Sequence, residues 1–461
     1  MGSKWVHAKL GDYIDSNLGK MLDQNKNKGD FHPYLGNSNV RWGYFDLENL
    51  SLMKFEEHES DRYGIRKGDL IICEGGEPGR CAIWEDDVPN MKIQKALHRV
   101  RPLPGLTSEY LYYWFLYFGR TGQLDAYFTG TTIKHLTGKA LSELPIEIPP
   151  IDEQKHISMV LGSLDTKIKA NRKINKTLEQ MSQTLFKSWF VDFDPVIDNA
   201  LDAGNPIPEA LQSRAELRQK VRNSADFKPL PAEIRSLFPS EFEETELGWV
   251  PKGWHYKNAE EIATISIGKT PPRTQKECFC DKKDSNYAWV SIKDLGNCSV
   301  FIKDSSEYLT SDAVNSYNVK IVPKDAVLLS FKLTIGRIAI AEDILTTNEA
   351  IAHFYNMKHG INKEYLYSYL KIFDYNSLGS TSSIATAINS KIIRKIPVLV
   401  PDGYILEKYK KSTDIIFQKI KFNNGNICNL TALRDTLLPK LISGELSLED
   451  LPDLTTDTEA A

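Results

Sequence analysis

Leu144-Pro145-Ile146-Glu147-Ile148-Pro149-Pro150-Ile151-Asp152 closes an extended segment and opens a long run of helical periodicity. Much later, Ile396-Pro397-Val398-Leu399-Val400-Pro401-Asp402 does the same. Self-similarity at so long a spacing indicates a duplicated domain-plus-helix unit rather than a solenoid of short repeats. The repetition extends outward from these two lines. Asp69-Leu70-Ile71-Ile72-Cys73, Gly79-Arg80-Cys81-Ala82-Ile83 and Glu85-Asp86 return as Ala326-Val327-Leu328-Leu329-Ser330, Gly336-Arg337-Ile338-Ala339-Ile340 and Glu342-Asp343. Glu109-Tyr110-Leu111-Tyr112 returns as Glu364-Tyr365-Leu366-Tyr367, and Lys167-Ile168-Lys169 with Asn171 returns as Lys419-Ile420-Lys421 with Asn423. Four matches in the same order exclude coincidence. Two diverged copies of one module suit a protein that reads two separate things at a fixed distance.

The 461 residues are enough for two or three domains with real cores, and 41% hydrophobic with 26% charged content is that of a globular protein. No apolar run reaches the length of a membrane span; Tyr110 to Phe118 is short and aromatic, as in a buried helix. The N-terminus carries no signal-peptide pattern, and six cysteines without a CxxC point to reduced thiols in a cytoplasm. Cys278, Cys280 and Cys298 lack the ligand spacing of a zinc site, so no metal is expected. A net charge of −4 does not argue for nucleic acid, but acid is concentrated at Glu241, Glu243, Glu244 and Glu246 and after Lys440, which leaves local basic patches open.

The fold class expected is α/β, mixed α+β: two tandem globular domains alternating with two long helices that pair as an antiparallel coiled coil, with an internal pseudo-two-fold. Residues 1–150 form the first domain, with strands over Asp69 to Cys73 and Arg80 to Trp84 around a Glu77-Pro78-Gly79 turn. Residues 151–194 form the central helix, 195–252 a proline-rich strap, 253–401 the second domain, 402–446 the second helix and 447–461 an acidic, mobile tail. Val160, Leu164, Ile174, Leu178, Met181 and Leu185 follow a four-three alternation interrupted by Lys167 and Asn171. Ile416, Leu430, Leu433 and Leu437 continue it in the second copy, interrupted by Lys419 and Asn423. Such stripes usually mark a core-facing helix. The recurring polar interruption favours helices that pair with each other, because a buried Asn fixes register and partner. A helix of roughly 40 residues is about 60 Å long, a ruler.

No constellation carries chemistry. Ala263-Thr264-Ile265-Ser266-Ile267-Gly268-Lys269-Thr270 imitates a phosphate loop, but Pro271-Pro272 follow at once and forbid the helix whose amides would face the phosphate. No glycine-rich turn for adenosylmethionine, amino-methylation tetrad, metalloprotease or hydrolase signature is present. Glu85-Asp86-Asp87 reads as an exposed acidic turn.

Taken together, Pro149-Pro150-Ile151-Asp152-Glu153-Gln154-Lys155-His156-Ile157, Leu185-Phe186-Lys187-Ser188-Trp189-Phe190-Val191-Asp192-Phe193, Leu247-Gly248-Trp249-Val250-Pro251-Lys252-Gly253-Trp254 and Leu437-Leu438-Pro439-Lys440-Leu441-Ile442-Ser443-Gly444-Glu445 make the chain resemble the specificity subunit of type I restriction–modification systems. The likeness covers nearly the whole chain. It departs at the second helix start, where Gly403-Tyr404 stand in place of Glu-Gln.

The resemblance implies two target-recognition domains, each reading half of a bipartite double-stranded DNA sequence. The paired helices would set the spacer and seat two methyltransferase (modification) subunits, with restriction/motor subunits joining them. S-adenosylmethionine, ATP and Mg would belong to those partners, and this subunit would be non-catalytic, cytoplasmic in a prokaryote, and bound to no membrane. The expected DNA-binding residues are Arg80, Lys92, Lys95, Arg99, Thr131, Thr132, Lys134 and His135 in the first domain. In the second they are Lys269, Thr270, Arg273, Lys332, Arg337, Ser382 and Ser383. Cations and hydroxyls of this kind contact base edges or phosphates, although each one alone could equally be a solvated surface residue. The other reading is a helix-pairing scaffold without intrinsic DNA specificity. A self-sufficient modifying enzyme would need a domain for which two modules leave no room.

Overall fold

The computed structural model describes residues 5–23, 27–130, 134–281, 286–378 and 388–446. It forms two compact units, Met1–Lys169 with Ile427–Ala461, and Ala170–Asn426. In the first unit a four-stranded sheet has the order Ile14–Leu18, Leu97–Pro102, Leu70–Cys73, Cys81–Ile83. Leu70–Cys73 is apolar on both faces: Ile71 and Cys73 fill one core, while Leu70, Ile72, Cys81 and Val100 are buried against the aromatic helix Ser108–Arg120, whose Tyr110, Leu111, Trp114 and Phe115 complete the other. Thr107 caps the helix, its side chain accepting from the amide of Tyr110 at 3.2 Å. A second sheet carries Ser51–Phe55, Asp30–Leu35 and Lys92–Ile93.

The second unit repeats this plan. Its main sheet runs Thr264–Ile267, Ile351–Tyr355, Val327–Ser330, Ile338–Ala341, with Phe301–Ile302 added at the edge. The helix Lys363–Ile372 covers it. In each unit the strand that leads to the long helix, Pro145–Ile148 or Pro397–Val400, pairs antiparallel with the strand that opens the domain, Val6–Lys9 or His255–Asn258. The duplication seen in the sequence is thus a duplication of topology.

The two long helices are Ile151–Phe190 and Gly403–Ile442. Gln154 explains one recurring signature: fully buried, its side-chain carbonyl accepts from the amide of Thr107 at 2.9 Å while its amide donates to the carbonyls of Gly105 and Pro149 at 2.8 Å. The second helix start uses Asp402 instead, whose carboxylate accepts from the amide of Tyr404 at 2.8 Å.

Within each unit the helices lie antiparallel. In the second, Asn423 donates to the side-chain carbonyl of Asn175 at 2.8 Å, and Phe186 meets Tyr409 with centroids 5.9 Å apart. In the first, Arg434 donates to Asp165 at 2.7 Å, and the ring of Trp5, bonded to Glu153, lies beside Gly444.

The seam differs from the expected one by a single line of residues. Leu164 and Asn423 are buried, and Val160, Leu178, Leu185, Ile416 and Leu437 pack partly against the cores. Asn171 and Leu430 are half-buried. Ile174, Met181 and Leu433 are 44%, 54% and 47% exposed and do not belong to it. The line 161, 168, 175, 182, 189 takes the place of 160, 167, 174, 181, with Leu161, Ile168, Asn175, Ser182 and Trp189 all buried. The polar interruption is therefore Asn175 with Asn423, not Asn171. Because Asn175 and Ser182 are polar and Ile174 and Met181 apolar, the apolar stripe in the sequence runs one line away from the buried edge.

The stretch 195–252 is not a strap but part of the second unit. Val196, Ile197, Ala200, Phe238 and Val250 are buried, three of them in the cluster that holds Trp189, Phe190, Trp254, Tyr365 and Tyr409. The helices Asp194–Ala203 and Glu209–Arg222 are clamped by Arg214 on Asp194 and Arg218 on Asp198, each with a bond of 2.6 Å. Its prolines sit between elements, in the first turn of a helix (Pro195) or at the last residue of a strand (Pro251), where the missing amide is harmless.

Candidate nucleic-acid interface

Each unit carries a loop between two neighbouring antiparallel strands of its main sheet, 74–80 in the first and 331–337 in the second. The two share one set of backbone hydrogen bonds. Cys73 donates to Arg80 at 2.8 Å, Gly79 to Cys73 at 3.0 Å, Glu77 to Gly75 at 2.9 Å and Glu74 to Ala96 at 2.8 Å. Their counterparts are Ser330 to Arg337 at 2.9 Å, Gly336 to Ser330 at 3.1 Å, Thr334 to Lys332 at 2.7 Å and Phe331 to Ala350 at 2.9 Å. Each loop thus contains a three-residue γ-turn, centred on Gly76 (φ 74°) or Leu333 (φ 60°), and reaches Gly79 (φ 88°) or Gly336 (φ 84°). A second shared anchor is Gly19-Lys20 and Gly268-Lys269. The amides of Lys20 and Lys269 donate at 3.0 Å to Ile93 and Thr347, and a Cβ on either glycine would collide with the carbonyl of Gln94 or Asn348. The resemblance of 263–270 to a phosphate loop is therefore a strand end that turns tightly over the neighbouring chain.

In the second unit these anchors bring Lys269, Thr270, Arg273 and Lys332 to one surface. Glu349, next to Ala350, accepts from the hydroxyl of Thr270. Burial pulls the Glu349 carboxyl up, but the Thr270 hydroxyl, its own backbone, and the charges of Lys332 and Arg273 outweigh burial and hold it below its ordinary range. Arg273 forms a two-pronged pair with Glu307 at 2.8 and 2.9 Å, and its guanidinium lies over Phe279 and Trp289, 4.3 and 4.5 Å from the ring centroids. The fork to Glu307 raises Arg273 and lowers Glu307 from their ordinary values. The Trp289 indole donates to the carbonyl of Lys269 at 3.2 Å, and the Lys269 ammonium to that of Tyr317 at 2.6 Å.

Beneath this surface lies His353, buried between two hydroxyls. Thr347 donates its hydroxyl proton to Asn348 at 3.0 Å, so it accepts from Nε2 of His353 at 2.7 Å, which leaves Nδ1 to accept from Ser266 at 2.9 Å. Burial holds the imidazole neutral, its pKa lowered to about 3. Arg337 turns inward, donating to Ile292 at 2.6 Å against Gly296. It braces the loop rather than presenting a cation.

The first unit gathers Arg80, Lys95, Lys134 and His135 around its loop, with the cations more fully matched. Arg80 donates to Glu77 at 2.9 Å and to Asn37 at 3.0 Å, and Glu77 also accepts from the Trp42 indole at 2.7 Å. Lys134 is bonded to Asp125 at 2.8 Å, His135 lies against Gly75, and Lys95 is exposed on the turn bonded to Glu74. Lys92 and Arg99 are not on this surface. Lys92 is buried with its ammonium on Ser60 at 2.9 Å, and Arg99 is buried on Asp15 and the carbonyl of Asp61 at 2.9 and 2.7 Å. Burial lowers both from their ordinary values. Thr131, Thr132, Ser382 and Ser383 lie outside the described residues.

Phe279, Trp289, Glu307, Glu349 and Leu333 were not singled out in the sequence. The signal that could have found part of the set is the repeated Gly-Lys pair at 19–20 and 268–269. Among the described residues, no group of three or more His, Cys, Asp or Glu is placed to hold a metal ion, and no helix is long and apolar enough to cross a membrane.

The family model for the type I restriction modification DNA specificity domain matches residues 2–180 and 251–427. The type I restriction enzyme HindI specificity subunit of Haemophilus influenzae is 27% identical over 475 residues, spanning 96% of this chain and 100% of that protein. The MjaIX specificity subunit of Methanocaldococcus jannaschii is 26% identical over 410 residues, spanning 84% of this chain and 79% of that one. A crystal structure of a type I restriction-modification S subunit from M. genitalium aligns with TM-score 0.49 and 17% identity, over 95% of this chain and 96% of that one.

Proposed function

Because the chain belongs to the family of the type I restriction modification DNA specificity domain, we propose that it chooses the DNA sequence on which a type I complex acts, each unit reading one half of a bipartite target. The observation that supports this reading is the shared loop frame. Two loops with the same backbone bonds carry different side chains, so two surfaces of one design can recognise two different base sequences. Arg273 is the strongest base-reading candidate. Its guanidinium is planar, held by two rings and still half-exposed, and the Glu307 fork keeps it oriented until a guanine edge replaces the carboxylate.

Catalysis, in this reading, belongs to partners: two methyltransferase subunits using S-adenosylmethionine and restriction/motor subunits using ATP and Mg, all in a prokaryotic cytoplasm. The long helices seat them and set the gap between half-sites. Ile174 and Met181 on one helix, and Ile415 and Phe422 on the other, are exposed apolar pairs one heptad apart, which supports a docking role.

The test is selection from a random duplex library by this chain co-purified with its co-encoded methyltransferase. A two-part consensus with a fixed gap is expected. No enrichment from a well-assembled complex would favour the scaffold without intrinsic specificity, and one uninterrupted motif would mean that a single unit reads DNA.

A further inference from the structure

Leu333 combines two features that globular proteins avoid. It is 99% exposed, and it sits at φ 60°, in the left-handed region that a γ-branched side chain rarely enters. The first unit shows what the loop itself needs at this point. The matching γ-turn is centred on Gly76, with φ 74°, so the backbone asks only for a residue without a Cβ. Leucine here adds strain and gains no packing. Strain held at an exposed apolar tip points to a role outside the folded chain.

The tip is rigidly mounted. Ser330 receives the amide of Arg337 at 3.0 Å on its hydroxyl and donates that hydroxyl to Thr334 at 2.6 Å, while Gly336 lies against the ring of Tyr375. Its surroundings are cationic. Lys332 precedes it, and the amide of Phe331 is bonded to Ala350, beside the Glu349 that gathers Thr270 and faces Arg273. An apolar wedge amid cations matches a duplex whose phosphates lie on either side of a stacked, apolar interior. A protein partner would be expected to meet a broad apolar patch, whereas Leu333 stands beside Lys332 with the 41%-exposed Ile335 as its one exposed apolar neighbour on the loop.

We infer that Leu333 is a wedge, entering the DNA between adjacent base pairs of the second unit's half-site and locally unstacking them. The inference rests on the reading that this unit binds DNA. It also makes the two half-sites unequal, because the glycine-rich loop of the first unit has no such tip. Its half-site would be read without local unstacking.

The experiment uses the chain assembled with its methyltransferase and duplexes of the selected consensus carrying 2-aminopurine at successive positions, with Leu333→Gly and Leu333→Phe as variants. The half-site of the second unit is assigned as the one whose consensus Arg273→Ala relaxes. Wild type should brighten 2-aminopurine at one step of that half-site. Leu333→Gly should lose that signal and bind about ten-fold more weakly, with an unfolding midpoint no lower than wild type, and Leu333→Phe should keep the signal. A base flipped by the methyltransferase brightens in every variant and is thereby told apart.

Unchanged affinity and unchanged brightening in Leu333→Gly would overturn the wedge and leave DNA reading intact. Loss of the methyltransferase from Leu333→Gly on size exclusion would overturn it in favour of a protein contact. Failure of the wild-type complex to select any sequence would overturn the reading and the wedge together.

Discussion

The loop 74–80 is neutral at its tip and glycine-rich, with its arginine tied to Glu77 and Asn37, whereas 331–337 puts lysine and a bare leucine on the same backbone. The helix contacts diverge in the same way. In the first unit they close on a charged network, Arg434 with Asp165, which also accepts from the Tyr113 hydroxyl at 2.9 Å. In the second they close on amides, Asn175 with Asn423 and Asn424. Backbone bonds and a few glycines preserve the frame, so the side chains on it are free to diverge. The proposed reading of two unlike half-sites with one design would use that separation.

The helix contacts give the largest expected effect. Arg434→Ala leaves Asp165 charged and nearly buried without its cation, and should destabilise the first unit by about 3–5 kcal/mol, measured by denaturant unfolding of the chain in its complex. Asn423→Ala strands a buried amide and should cost less, about 1–3 kcal/mol. Equal losses would mean that the two contacts do not differ in kind.

At the reading surface, Arg273→Ala should lose about 1–3 kcal/mol of discrimination at one base position. Arg80→Ala should change little, because Arg80 is spent on Glu77 and Asn37. Library selection with each variant checks both, and relaxation of both half-sites by Arg273→Ala would break the independence of the two units.

Acid should separate them further. His353 is depressed to about 3 from an unfolded value near 6.5, so the stability it contributes is complete above pH 6.5 and falls as pH drops toward 3. The loss by pH 5 should be about 2 kcal/mol, and His353→Gln should flatten that slope in unfolding measurements across pH. In the first unit the matching strand position is Arg99, which does not titrate in this range. A slope unchanged by His353→Gln would place the acid sensitivity elsewhere, with His98, also lowered by burial, as the next group to replace.

The smallest effect is the mirror of the wedge. Leu333→Gly should raise stability by about 1 kcal/mol by relieving the left-handed leucine, and a loss of stability instead would show that the side chain packs.

Much of this architecture was legible in the chain. The repeated proline lines, the strands around 70 and 81 and their copies, the aromatic helices and the two long helices all follow from periodicity, which burial imposes directly on sequence. Of the expected DNA-binding positions, Arg80, Lys95, Lys134, His135, Lys269, Thr270, Arg273 and Lys332 lie around the two loops, while Lys92 and Arg99 are buried and Arg337 braces its loop. A cation reads the same in sequence whether it faces a phosphate or a buried carbonyl. The helix seam slipped by one line because buried Asn175 and Ser182 look external and exposed Ile174 and Met181 look internal.

The sequence by itself therefore determined the duplication and the element order, because those are carried by spacing. Only the tertiary structure decided which cations are free, which asparagine closes the helix pair, and that a leucine stands where its sister loop has glycine. Each of those depends on what lies opposite a side chain in space, and residues far apart in the chain supply that neighbour.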